Sequence, residues 1–292
     1  MDARSERGRA ARGGGALALV AAGLLAGCVR GAPRGGLITD PGRITGLLAA
    51  RAARVRALRA HGSADVFNRE GRKRGDVDLV VGAPDRVRFD IFGFGALFFS
   101  LVSDGQRFGL FQGRQYVVGP ARACAARQIA GIALEAREIA AALSGGVPAL
   151  GTPVGPVRWE EGRYVLDLRA PDANTARIEL ELPSEQNELP PARQTPRVVR
   201  VVLRDRDGVR ADIRYESHRI VQGEVFPDRV RVLMERDGAD LQVRLDRIEL
   251  GEPPAPAVTE DPLAEEGATP AAPDPFRIAP PAGAELVMID CR

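Results

Sequence analysis

The first residue set up for chemistry is Cys28. Leu25-Ala26-Gly27-Cys28 ends an uncharged run from Gly13 that carries Leu17, Leu19, Val20 and Leu24, and Arg4, Arg7, Arg9 and Arg12 precede that run. Small residues before a cysteine at the end of a charged-then-apolar leader resemble a lipobox, in which the thiol takes diacylglycerol and signal peptidase II cuts on its N-terminal side. The apolar run is too short to span a bilayer. The expectation is a signal peptide over residues 1–27, removed to leave Cys28 as a lipid-bearing first residue. Val29 in place of aspartate after the cysteine is compatible with delivery to the outer membrane, facing the periplasm. In that oxidising compartment the other two cysteines, Cys124 and Cys291, either pair or remain free thiols, and spacing alone does not decide between these.

Reactive constellations of other kinds are missing from the sequence. Ser63, Ser100, Ser103, Ser144, Ser184 and Ser217 lie in no Gly-x-Ser-x-Gly elbow, and no His-Glu-x-x-His or phosphate-cradling glycine loop occurs. His61 and His218 are the two histidines, and with the distal cysteines they make no metal set. Glu160 and Glu161 are adjacent, which on a strand points them to opposite faces. These residues point to a chain that is not an enzyme and carries no cofactor or metal. The net charge of +2 equals the balance of the leader, four Arg against Asp2 and Glu6, so the remainder is neutral and has no electrostatic footprint for nucleic acid.

The remaining chemistry is apolar. Phe89, Ile91, Phe99, Leu101, Phe108 and Leu110 occupy alternating strand positions, where they either line an acyl-binding cavity or fill a closed core; each methylene buried there is worth roughly 0.8 kcal/mol. Phe92, Phe94, Phe98 and Phe99 stand close together, interleaved with Gly93 and Gly95. If exposed, Phe92, Phe94 and Leu97 form a patch suited to a membrane or lipidated cargo; otherwise they are an ordinary core cluster.

These residues need a scaffold. Asp40-Pro41 starts a helix whose Ile44, Leu47, Leu48, Val55 and Leu58 follow near-helical spacing to Gly62, with Arg51, Arg54, Arg56 and Arg59 on a solvated face. The period then falls to two at Val77, Leu79 and Val81 and at Val87, Phe89 and Ile91, and the meander continues to Val118. One broken helix or two short ones, interrupted at Gly131, precede Gly145-Gly146. Strands resume from Tyr164 to Leu245, with turns at Asp207-Gly208 and Asp237-Gly238, giving a sheet of about ten strands. Pro183 to Pro196 and Glu252 to Pro275 read as mobile segments, and the chain from Phe276 as a returning edge strand.

Taken in order, the lipobox, the helix, the meander, the helical interruption and the second β run resemble the LolA/LolB lipoprotein-carrier superfamily. Local matches are Phe92-Gly93-Phe94-Gly95-Ala96-Leu97 followed by Asp104-Gly105, the Gly131 to Pro148 helix, Phe226-Pro227-Asp228-Arg229-Val230, and the Pro280-Pro281-Ala282-Gly283 ending. The single Trp159, the proline-rich stretch and the distal cysteine depart from the anchored members. The resemblance implies an incomplete, half-open antiparallel β-barrel with a helical lid, taking acyl chains of lipids or lipoproteins. The expected layout is a signal peptide (1–27), a tether (28–39), the half-barrel (40–251), a linker (252–275) and a C-terminal segment (276–292). The competing expectation is a non-catalytic envelope scaffold or sensor that docks another envelope protein.

Overall fold

The computed structural model describes residues 31–68, 71–148, 151–170, 174–251, 274–281 and 283–291. Cys28 and the leader lie outside the described residues, as does most of the 252–275 stretch. Helix α1 (Pro41–Arg54) begins where the Asp40 carboxylate accepts the Gly42 N–H at 2.9 Å, and buries Ile44 and Leu48. It ends at Arg54, short of the expected Gly62. From Ala57 the chain is strand β1 (Ala57–Asn68), bonded to a neighbour on each side over most of its length. Two such ladders satisfy more backbone groups than one further helical turn. Leu58, expected on the helix stripe, instead faces Val81 and Leu250 across the sheet.

From β1 the chain meanders through β2 (Gly71–Gly82), β3 (Arg86–Gly93), β4 (Ala96–Asp104), β5 (Arg107–Gln112) and β6 (Gln115–Pro120). Helices α2 (Ala123–Ala130) and α3 (Ala136–Leu143) then cross to the far edge. There the short β7 (Thr152–Pro153) and β8 (Arg158–Glu160) both pair with β9 (Arg163–Arg169). Strands β10 (Thr175–Glu181), β11 (Arg197–Asp205), β12 (Gly208–Val221), β13 (Glu224–Met234) and β14 (Ala239–Leu250) walk back to β1. The last strand, β15 (Glu285–Met288), runs parallel to β6 and forms that edge.

The result is one curled sheet of fifteen strands, where about ten were expected. The difference lies mostly in β1, hidden in the helical reading, and in β7 and β8, too short to show a period. Among the described residues the two edges do not pair with each other, so the barrel is half open. Inward positions such as Val77, Leu79, Val87, Val201, Ile213, Val230 and Val243 build a continuous core. The turns at 94–95, 113–114 and 235–238 define one end, here the upper rim. Those at 83–85, 105–106 and 222–223, with the 183–196 connection, define the lower rim.

The 183–196 connection is packed rather than mobile. Gln194, fully buried, donates through Nε2 to the carbonyls of Gly36 (2.9 Å) and Leu189 (2.8 Å) and accepts from the Tyr164 hydroxyl (2.5 Å). The Gly35 N–H donates to the Asn187 carbonyl at 3.0 Å, and Ile38 is buried. A buried amide with all its groups satisfied fixes whatever it touches, so the end of the expected tether, residues 33–39, is docked on the lower rim.

On the outer face Phe276 is fully buried over Gly82, where a side-chain carbon would stand 3.1 Å from its ring. The Arg86 guanidinium lies 4.8 Å from that ring centroid. The segment then enters β15, and Cys291 forms a disulfide with Cys124 at the start of α2, Cα–Cα 6.1 Å.

Candidate functional site: an apolar funnel under two helices

Alternation along β3 and β4 sends Phe89, Ile91, Phe99 and Leu101 to the concave face, where they form one wall of a funnel. Phe89 and Phe99 meet edge to face at 6.3 Å. The opposite arm supplies Val232, Met234 and Leu241, and the roof is Ile132, Leu134, Ile139, Ala142 and Leu143 from the α2–α3 pair. The mouth opens at the upper rim among Phe67, Asn68, Lys73, Gln112 and Asp240. The enclosed space is about 60 Å³; with the open funnel above it the empty volume is about 840 Å³. The smaller figure decides what enters without movement, and it is well below the ~300 Å³ at which ligand pockets begin. An acyl chain therefore requires the roof to lift.

Phe108 and Leu110 are a correction to the expected cavity. Both are buried inward, yet neither lines the funnel, because α2 packs across β5 and seals them into the core. The aromatic corner divides. Phe94 projects wholly into solvent at the tip of the β3–β4 turn, whereas Phe92 and Leu97 are half-buried, so the expected three-residue patch reduces to Phe94 with flanking support. Phe67, 55% exposed at the mouth, joins it on the upper rim. Nothing singled out Phe67 in the sequence, since the strand that carries it was read partly as helix.

Particular contacts hold the roof. The Ala133 N–H approaches Met234 Sδ at 3.3 Å, and Arg127 Nε reaches Asp237 Oδ1 at 3.1 Å. Glu138, almost wholly buried, receives a hydrogen bond from Arg210 and another from the Glu135 N–H at 2.9 Å, closing a capping box at the start of α3. At the other end Tyr215 donates to the Gly146 carbonyl at 2.6 Å, and burial pushes its phenol well above the ordinary value.

The two histidines stand on different arms of the sheet. His61 Nδ1 contacts Asp78 at 2.5 Å on the exposed face of β1 and β2, while His218 Nε2 faces the Val198 carbonyl at 3.0 Å on another arm. Among the described residues no three His, Cys, Asp or Glu converge on a metal position, and no helix is long and apolar enough to cross a membrane.

No family model and no curated protein matches the sequence. Solved structures with a similar fold include a domain described as an outer membrane lipoprotein-sorting protein from Vibrio parahaemolyticus. It is 12% identical with a TM-score of 0.47, covering 70% of this chain and 91% of the other. A DUF1329 family protein from Desulfovibrio piger is 9% identical, with a TM-score of 0.49 and coverage of 73% and 94%. A LolA superfamily protein from Nitrosomonas europaea is 13% identical, with a TM-score of 0.45 and coverage of 72% and 94%.

Proposed function

We propose that this chain is a lipid-anchored, periplasm-facing protein that takes acyl chains of lipids or lipoproteins beneath the α2–α3 roof and helps place them in the outer membrane. The observation that carries the reading is the funnel itself, walled by apolar side chains from both arms of the sheet and roofed by the α2–α3 pair. Cargo enters at the upper rim, where Phe94 and Phe67 offer apolar contact to a membrane or to the cargo. The anchor is Cys28, and metabolic labelling with a fatty-acid analogue that disappears in Cys28→Ala is its test.

Acyl capture is tested by native mass spectrometry of the chain lacking its own lipid after exposure to a diacylated lipopeptide. One lipopeptide per protein is expected, and Ala142→Phe, which adds bulk to the roof, reduces that occupancy. No bound species, or equal occupancy in the bulky variant, overturns the reading. A protein partner retained on the upper rim without any lipid would favour the scaffold alternative.

A further inference from the structure

A second cavity, of about 270 Å³, lies at the lower rim between α1, α3 and the β2–β3 turn. Its walls are apolar: Leu48, Val55, Val81, Ala140, Val147 and Val198. It shares no lining residue with the upper funnel. The charged side chains on its lining are Arg51 and Arg137, with no carboxylate among them.

Arg51 is unusual in its surroundings. Its Nη2 donates to the carbonyls of Ser144 (2.9 Å) and Val225 (3.1 Å), and its guanidinium lies 4.9 Å from the Phe226 ring centroid. Among the described residues no carboxylate pairs with it, and neighbouring Glu224 is taken by Arg54. Desolvation lowers its pKa from the ordinary value, a cost that the nearby Tyr215 and Glu224 offset only in part. An anion at Nη1 and Nε would offset that cost, and a guanidinium matches a carboxylate in two parallel hydrogen bonds.

We propose that this lower cavity binds a single-chain fatty-acid anion, with the alkyl chain among the apolar walls and the carboxylate on Arg51. The enclosed space is near the lower end of the ~300–1,000 Å³ typical of ligand pockets, which suits one chain and not two. Charge complementarity selects the head: a half-buried guanidinium with no directly paired carboxylate among the described residues, at the edge of an apolar cavity, favours an anionic amphiphile over a neutral one.

The test is fluorescence titration of the full chain carrying Cys28→Ala with cis-parinaric acid and with its methyl ester. The acid is expected to bind about tenfold tighter than the ester, the worth of a charge-assisted hydrogen bond. Arg51→Met abolishes that preference and Arg51→Lys keeps part of it. Ala52→Trp, at an exposed helix position lining the cavity, weakens both ligands while leaving Arg51 in place. Ala142→Phe, in the upper funnel, leaves the preference unchanged. Equal binding of acid and ester overturns the proposal, as does a preference that survives Arg51→Met or one lost in Ala142→Phe and kept in Ala52→Trp. The upper funnel's lipopeptide capture stands or falls separately.

Discussion

Replacing Phe94 by Asn should make the protein more stable and a poorer membrane binder at once. Phe94 and Gly95 are the two central residues of the β3–β4 hairpin, with φ of 51° and 78°. Positive φ at both positions is the geometry of a type I′ turn, for which Asn-Gly is the favoured pair. A side chain with a Cβ costs roughly 1–2 kcal/mol in this left-handed region, and Asn relieves much of that through local hydrogen bonds. The aromatic ring offsets nothing in return, because the side chain is fully solvent-exposed. Phe94→Asn is therefore expected to raise unfolding free energy by about 1 kcal/mol, read as a higher urea midpoint at unchanged slope. Burying a phenylalanine in an apolar medium is worth roughly 1.5–3 kcal/mol, so loss of an inserted ring weakens sedimentation with phospholipid vesicles by about 10- to 100-fold. A variant that is less stable than the parent shows that the turn is not strained. A variant that is more stable but binds vesicles equally well refutes the idea that strain is kept at this tip for apolar contact.

Two further outcomes follow from buried charges. Glu138→Ala leaves Arg210 in the protein interior without its carboxylate, and calorimetry should register a loss of about 3–5 kcal/mol with faster amide exchange in α3; a change below about 1 kcal/mol means that the pair does not latch the roof. Stability should also fall in two steps on acidification. Burial, followed by the Arg197 charge, lowers the pKa of His218, so the fold favours the neutral ring, and stability is lost as pH drops below about 6.5 toward the folded-state value. A second loss comes below about pH 4, because a hydrogen bond from Arg236 lowers the pKa of Asp205. At Asp212 burial works against the charged form, but hydrogen bonds from Arg200 and Arg214 outweigh it. Urea titrations across pH should lose the upper step in His218→Asn, and a retained step would assign it to another group.

The funnel's walls were legible in the sequence wherever one strand face is buried and the other wet. Arg88 and Asp90 flank Phe89 on β3, Ser100 separates Phe99 from Leu101 on β4, and period two is enough to set the four apolar residues on one face. What periodicity does not carry is which inward residue meets open space and which meets a covering helix; Phe108 and Leu110 have the same pattern but lie under α2. Phe67 was lost for another local reason. Leu58 happens to fall on a helical spacing from Leu47, Leu48 and Val55, so the boundary between α1 and β1 depends on long-range ladders to β2 and β14 that no local window contains. Arg51 shows the same limit on the polar side. It belongs to a face that reads as solvated, and only the packing of α3 and the β12–β13 hairpin against α1 half-buries it against backbone carbonyls.

The two ends of the roof are held unequally, and this gives the funnel a direction. At the lower rim α2 starts beside Cys124, which is covalently joined to Cys291 after β15, itself paired along β6. At the upper rim the tip between the helices is held by a thioether contact, by the Arg127–Asp237 ion pair and by Glu138–Arg210. The first and last of these are buried and the ion pair is half-exposed, yet all three are noncovalent, whereas the disulfide opens only with a redox partner. Lifting the roof therefore costs least at the rim that bears Phe94 and Phe67, and the cavity opens toward them. Residues 33–39 are docked on the opposite rim. On the proposed reading the lipid at Cys28 holds the disulfide-pinned base toward its bilayer and presents the mouth away from it, so cargo is received on the far side and reaches the anchoring membrane only after the domain reorients on its tether.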